Sequence, residues 1–423
     1  MSRVKVLVFP CGSEIGLEIQ RALGSSVHVE LYGASSQDDH GCLAYARYYH
    51  LPHAREADFD ACLQALLREQ GIDLLFATHD SLMDYLAPRL RKWGVLLVNG
   101  DPDTARITRR KSSTYALFTD QPWLPRCYAG LDEVRDWPLL IKPDQGQGGQ
   151  GVVLVANRAQ ATVALQQCAE TILSEYLPGA ELTVDCFTDW CRQLLHVAPR
   201  TRERVRSGIA MRSCLLPCSE EIRQIAMTIN HRLLFRGPWF FQLRADADGA
   251  WKLLEVSCRL SSSSVVLRAA GVNLPLMTIQ DYLQREQQVL CDPRVTLLDR
   301  RLGSVAQLDY EFDTAYLDFD DTVLLDGQAN PQAMRFIYRL LAMGKRLVLV
   351  TRHAGDVRAS LAQARIADSL FDAIIHLREG QTKSSCIEGR AIFVDNHFPE
   401  RLEVARNKGI PVLDVDAMEL FFP

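Results

Sequence analysis

The sequence predicts an α/β protein built from three units, and three observations predict it. Short apolar runs alternate with helical spacing over the first hundred residues, and again from Thr314 to the end. That alternation is the pattern of parallel sheets crossed by helices. In between, a glycine-rich loop follows a strand near residue 145, and residues 180–260 read as antiparallel strands with one helix starting at Ser219. Of the 423 residues, 48% are apolar, enough for several cores.

The expected units follow in order. Residues 1–100 form a doubly wound domain, with VKVLVF, VHVELYG, DLLFAT and VLLVN as parallel strands. Phe59, Cys62, Leu63, Leu66 and Leu67 recur at helical spacing between the second and third of these. Residues 101–290 form an α+β body opened by a helix carrying Arg109, Arg110 and Lys111. Residues 291–313 are charged and poorly periodic and read as a linker. Residues 314–423 form a small Rossmann-like domain.

Composition excludes some functions. The net charge of −5 offers no basic field, so neither nucleic acid nor an anionic membrane is an expected partner. The 12 cysteines run from Cys11 to Cys386 with no C-x-x-C pair, and are expected to be buried reduced thiols. The first apolar run, Val4 to Phe9, is broken at Pro10, which fits a buried strand and not a signal peptide. No run approaches the ~20 residues that span a bilayer. The cytoplasm is the expected location.

Chemistry concentrates in two places. In the first, Lys142 ends the strand WPLLIKP and is followed by Gly146, Gly148, Gly149 and Gly151. A lysine supplies charge for phosphate oxygens, and glycines let backbone N–H groups approach them. The spacing is not that of a Walker loop. Downstream, Asp248-Gly249 marks a hairpin. Symmetric pairing about it sets Gln242 opposite Glu255 and Arg244 opposite Leu253, with Ser257 on the same face and Arg259 just beyond. Oxygen donors of this kind suit Mg²⁺ on nucleotide phosphates. Arg200, Arg202, Arg204 and Arg206 alternate along HVAPRTRERVRSG, and Arg200 or Arg202 is the expected clamp for a substrate carboxylate. Gly12-Ser13-Glu14-Ile15-Gly16 lies between a strand and a helix and lacks the dinucleotide pattern G-x-G-x-x-G, so it reads as a tight turn.

These motifs, in this order, resemble the ATP-grasp superfamily, in particular its carbamoyl-phosphate-synthetase-like branch, over residues 1 to about 285. The resemblance implies a pre-ATP-grasp domain followed by an ATP-grasp domain. It implies ATP contacts from Lys111 and Lys142, adenine held by the backbone of Glu175 and Leu177, and ribose held by Glu181. Gln242, Glu255 and Ser257 would be metal ligands, and Arg259 would stand beside the transferring phosphate. Ser257 replaces the usual Asn, and Ser174 stands where an acid is common. The implied reaction joins a small-molecule carboxylate to an amine through an acyl phosphate, converting ATP to ADP. The alternatives are a carbamoyl-phosphate-type synthesis and an ATP-binding sensor. Related ligases often dimerise, so a homodimer is the expected assembly.

The second place is AYLDFDDTVL, which sets Asp318 and Asp320 at i and i+2 after a strand. One carboxylate can attack phosphorus while the other shuttles a proton, with Mg²⁺ offsetting the anionic charges. Thr351, Lys383 and Asp395 follow, the first and last at strand ends. This order resembles the haloacid dehalogenase (HAD) superfamily. It implies Asp318 as nucleophile, Asp320 as acid and base, Thr351 and Lys383 on the phosphoryl group, and Asp318, Asp320 and Asp395 around Mg²⁺. Asn396 stands where a second acid is common. About thirty residues separate Asp320 from Thr351, and about thirty separate Thr351 from Lys383, leaving no room for a cap. A phosphorylated metabolite is the implied substrate.

Overall fold

The computed structural model describes residues 3–146, 149–167, 170–295, 297–301 and 303–421. The chain divides into two compact units, Met1–Arg301 and Leu302–Pro423.

The first unit opens on a five-stranded parallel sheet in the order Tyr48–His50, Val29–Ser35, Val4–Phe9, Leu74–Ala77, Leu96–Leu97. Its helices start and stop where local chemistry dictates. Ser13 caps Glu14–Leu23 by accepting the Gly16 N–H, and Gly71 and Gly94 end Phe59–Gln70 and Asp80–Trp93 in left-handed conformation. This domain does not close off at residue 100. Leu7, Phe9, Leu63 and Leu86 share one apolar core with Val184, Trp239, Phe241 and Leu253 of the following sheet. On the other face, Val6, Val8 and Ile19 pack with Val266, Leu267 and Ile279. Two shared cores make residues 1–301 one body.

That following sheet is antiparallel, in the order Leu194–Thr201, Glu181–Thr188, Gly237–Ala245, Trp251–Ser257. A smaller antiparallel sheet, Cys127–Tyr128, Thr171–Glu175, Leu139–Pro143, Val153–Val155, has its own core of Val134, Leu139, Ile141, Val155 and Ala161. Glu220–Arg232 is the helix expected after Ser219, which caps it by accepting the Ile222 N–H.

Three expectations are corrected. The helix expected across Arg109–Lys111 is two helices, Pro102–Arg109 and Lys111–Leu117, because Arg110 between them is extended (φ −115°, ψ 124°). The expected linker contains a strand, Leu297–Asp299, paired with Ile209–Cys214, which carries the first unit to residue 301. Among the described residues the thiols are free but not uniformly buried: Cys11, Cys186 and Cys258 are buried, whereas Cys42, Cys127 and Cys191 are exposed.

The second unit is a five-stranded parallel sheet in the order Ala373–His376, Arg346–Thr351, Thr314–Leu317, Ala391–Val394, Val412–Leu413. Alternate residues feed opposite faces. Leu317, Leu349 and Val394 pack with Phe336, Ile337 and Leu361 on one side, and Tyr316, Val350 and Phe393 with Val404 on the other. Between Asp320 and Thr351 lie a two-stranded hairpin, Leu324–Leu325 with Gln328–Ala329, and one helix, Pro331–Ala342. No helix among the described residues is long and apolar enough to cross a membrane.

Candidate functional site

A cavity of about 800 Å³ lies in the first unit. Lys111, Lys142, Gly146, Gly149, Glu181, Arg200, Arg202, Gln242, Glu255 and Arg259 line it. Glu175, Leu177 and Ser257 do not. Gly148 falls outside the described residues.

The hairpin brings Gln242 opposite Glu255, as the turn signal implies, but through two compensating irregularities. Asp246 and Ala250 close a three-residue loop with Gly249 at φ +85°, the glycine-bulge turn that shifts pairing by one residue. Arg244 therefore pairs with Lys252 and not with Leu253. A second irregularity between Gln242 and Leu243 shifts the register back before Glu255.

Lys142 is 6% exposed, and its ammonium donates to the Tyr115 hydroxyl at 2.8 Å. Tyr115 in turn donates to the carbonyl of Leu254 at 2.8 Å, next to Glu255. The tyrosine thus holds Lys142 against the strand that carries Glu255. Its signal was available in sequence: Tyr115 follows Lys111 by four, so both sit on one helix face. Asp144 was likewise unforeseen. Its carboxylate accepts from the Ser112 N–H at 2.8 Å and the Ser112 hydroxyl at 2.9 Å, anchoring the helix start that carries Lys111.

Burial pushes Lys142 down from its usual range to about 8. A lysine lowered on folding contributes stability that is present above its unfolded value near 10.5 and lost as pH falls through about 8. At pH 7 the penalty is about 3 kcal/mol. Lys142→Met is therefore expected to raise the melting temperature of the nucleotide-free protein at pH 7 while weakening ATP binding. ATP phosphates placed against Lys142 would restore the ammonium, so ATP binding above pH 8 is expected to take up a proton. Calorimetry in buffers of different ionisation enthalpy reads that uptake, and buffer-independent heats would count against it.

Glu255 is pushed up, chiefly by burial, with Lys111 opposing. Among the described residues no hydrogen bond engages its carboxylate. No group of three His, Cys, Asp or Glu is placed to hold a metal among those residues. Mg²⁺ does not need one, since it commonly takes one or two carboxylates with waters and substrate phosphates. An unengaged carboxylate beside Gln242 fits that role. Ser257 does not share it: it is buried, and its hydroxyl donates to Asp80 at 2.6 Å.

The arginines divide. The strand Leu194–Thr201 ends before Arg202, and Arg204 and Arg206 belong to the next strand, Glu203–Arg206, so the four do not form one alternating row. Arg200 is 1% exposed and is held by Asp185 at 2.7 Å and Ser261 at 3.0 Å. Arg202 lies 2.6 Å from Glu181 and donates to Thr183 and to the Gly208 carbonyl. Arg259 donates through Nε (2.9 Å) and Nη2 (2.7 Å) to Asp80. Asp80, which the sequence reading missed, comes from the parallel-sheet domain and fixes this arginine. Asp80→Asn is expected to lower turnover ~10- to 100-fold, as loss of an orienting partner does, with ATP affinity little changed. Equal loss in both would assign Asp80 to nucleotide binding.

Glu175 and Leu177, the residues expected at the adenine, are not among those lining this cavity. The Glu175 N–H donates to the Arg126 carbonyl at 2.9 Å, and its carboxylate accepts from the Arg126 N–H at 2.8 Å. Leu177 is 1% exposed.

In the second unit, Asp318, Thr351 and Asp395 stand at or just beyond the carboxyl ends of three adjacent parallel strands, the usual place for ligands in open α/β sheets. The Lys383 ammonium lies 2.6 Å from Asp318 and 2.5 Å from Asp395. Two buried carboxylates around a cation fit a Mg²⁺ site of one or two acids. The Asp320 carboxylate is half exposed and meets His353 Nδ1 at 2.9 Å. Thr351 is buried, and its hydroxyl accepts from the His353 N–H at 3.0 Å. Asn396 is exposed, and its N–H donates to Thr322.

Comparison with known proteins bears on the first unit's geometry. A family described as ATP-grasp in the biosynthetic pathway with Ter operon matches residues 167–299. A D-alanine–D-alanine ligase of Fusobacterium nucleatum is 29% identical over 76 residues, 18% of this chain and 26% of that ligase, so the match spans about a quarter of the curated relative. Among solved structures, an L-amino acid ligase from Bacillus licheniformis superposes with a TM-score of 0.53 at 16% identity, covering 68% of this chain and 75% of its own. The biotin carboxylase domain of a Hydrogenobacter thermophilus 2-oxoglutarate carboxylase, complexed with MgADP, ADP and bicarbonate, gives 0.56 at 13% identity, covering 70% and 72%. Over about two thirds of its length the chain shares the fold of these solved structures, and residues 167–299 match the ATP-grasp family model.

Proposed function

We propose that the first unit is an ATP-dependent carboxylate–amine ligase working through an acyl phosphate, with ATP and Mg²⁺ as cofactors. The observation that carries this reading is the convergence of Lys111, Lys142, Glu255 and Arg259 on one cavity. The two lysines neutralise phosphate oxygens, and Glu255 with Gln242 holds Mg²⁺, which offsets charge as the γ-phosphate moves. Arg259 faces the transferring group, and Arg202, with Arg200 behind it, faces the carboxylate. The substrates are a small-molecule carboxylate and an amine; neither nucleic acid nor membrane takes part, and the assembly is a homodimer. The second unit is a Mg²⁺-dependent, uncapped phosphatase of the HAD type acting on a related phosphorylated metabolite. Asp318 is its nucleophile, Asp320 its acid and base, Thr351 and Lys383 its phosphoryl anchors, and Asp395 its further metal ligand.

The test uses Asp318→Asn protein, to remove phosphatase background, with ATP, Mg²⁺ and hydroxylamine against a panel of amino acids and other small carboxylates. ADP and hydroxamate that appear only with particular acids are the expected result. AMP would replace the acyl phosphate by adenylation. ATP bound but not consumed with any acid would favour a sensor.

A further inference from the structure

One wall of the cavity is not used by the phosphate-facing groups. It is formed by Gly12, Ser13 and Glu14 at the start of one helix and by Thr78 and His79 before another. His79 is part-buried with extended backbone (φ −130°, ψ 140°), and its ring caps no helix N–H. Among the described residues no hydrogen bond engages the imidazole. Both neighbours are fixed. Thr78 donates to the Pro10 carbonyl at 2.9 Å and accepts from Ser13 at 2.8 Å. Asp80 holds Arg259 and Ser257. The result is a rigid loop presenting one unbonded ring to a polar cavity beside the arginine assigned to the transferring phosphate.

Resting on the ligase reading above, we propose that His79 is the base that takes the ammonium proton of the amine substrate. Burial, then the Arg259 guanidinium, lower the imidazole below its ordinary range, while Asp80 opposes. Asp80 is already shared between Arg259 and Ser257, so its opposition is blunted. The other charged groups lining the cavity are Glu14, Lys111, Lys142, Glu181, Arg200, Arg202, Arg244 and Glu255. At neutral pH the ring is therefore unprotonated and can accept. R–NH₃⁺ gives one proton to His79; the free amine forms a C–N bond at the acyl phosphate carbonyl; the C–O bond to phosphorus breaks. Inorganic phosphate leaves with that electron pair and takes the second nitrogen proton, and His79 returns its proton to solvent.

The experiment compares two nucleophiles on the acid identified by the hydroxamate screen. Ammonium-type amines (proteinogenic amino acids at pH 7) need a base, whereas hydroxylamine is already unprotonated and does not. His79→Asn is expected to cut amide formation about 100-fold, within the usual range for a general base, and raising the pH is expected to recover much of it. Hydroxamate formation by the same variant is expected to stay within a few-fold of wild type. His79→Gln, measured alongside, guards against a folding defect peculiar to one variant. Amide formation unchanged, or amide and hydroxamate lost together with no recovery at high pH, overturns the proposal. Wild-type protein that makes no hydroxamate with any acid overturns the ligase reading itself, a separate outcome.

Discussion

Replacing Glu255 by Gln is expected to reduce carboxylate-dependent ADP release ~10²- to 10³-fold, the loss seen when one preorganised electrostatic contact to a developing charge is removed. The change is nearly isosteric, so the mechanism at stake is charge alone. Glu255 is already disfavoured by its surroundings, since burial pushes its carboxyl up. Removing that charge therefore leaves the fold at least as stable, and the melting temperature is expected to hold or rise. On the proposed metal role, what falls is the attraction for Mg²⁺ between Glu255 and the nucleotide phosphates. The half-saturating Mg²⁺ concentration is expected to rise with the drop in turnover, and raising Mg²⁺ to recover part of it. Gln242→Ala removes a neutral donor and is expected to cost less. Equal Mg²⁺ dependence in wild type and Glu255→Gln would remove Glu255 from the metal site.

Asp318→Asn is expected to lower phosphate release from an aryl phosphate such as p-nitrophenyl phosphate below about one thousandth of wild type, because an amide oxygen cannot serve as the nucleophile. Burial and then the charge of Asp395 raise the Asp318 carboxyl to about 6, against the pull of Lys383. The wild-type reaction is accordingly expected to decline as pH falls through about 6, where the carboxylate proposed as nucleophile takes a proton. A carboxyl raised on folding contributes stability below its unfolded value, and that contribution is lost as pH rises through about 6. The Asn variant escapes this loss, and Lys383 keeps Asp395 at 2.5 Å. A folded and inactive variant is thus the expected outcome. Undiminished release would move the nucleophile elsewhere.

The sequence by itself determined the local elements and the chemical inventory. Period-2 and period-3.6 patterns marked the strands from Val4 and from Thr314, the Ser219 cap marked its helix, and Asp248-Gly249 marked the hairpin. These depend on residues close in the chain, so their causes are written locally. Lys142, Glu255, Arg259 and the Asp318 series were legible because their residue types and order are distinctive. What the tertiary structure decided was partnership across long stretches of chain. Asp80 meets Arg259 across 179 residues, and Arg200 and Asp185 bury each other on adjacent strands. Two cores shared between the parallel sheet and the antiparallel one erase the boundary expected at residue 100. Residues 297–299 lack periodicity yet become a strand because Ile209–Cys214 offers an edge to pair with. Hydrogen-bond partners and buried faces of this kind exist only once distant segments are packed together, so no local pattern could have specified them.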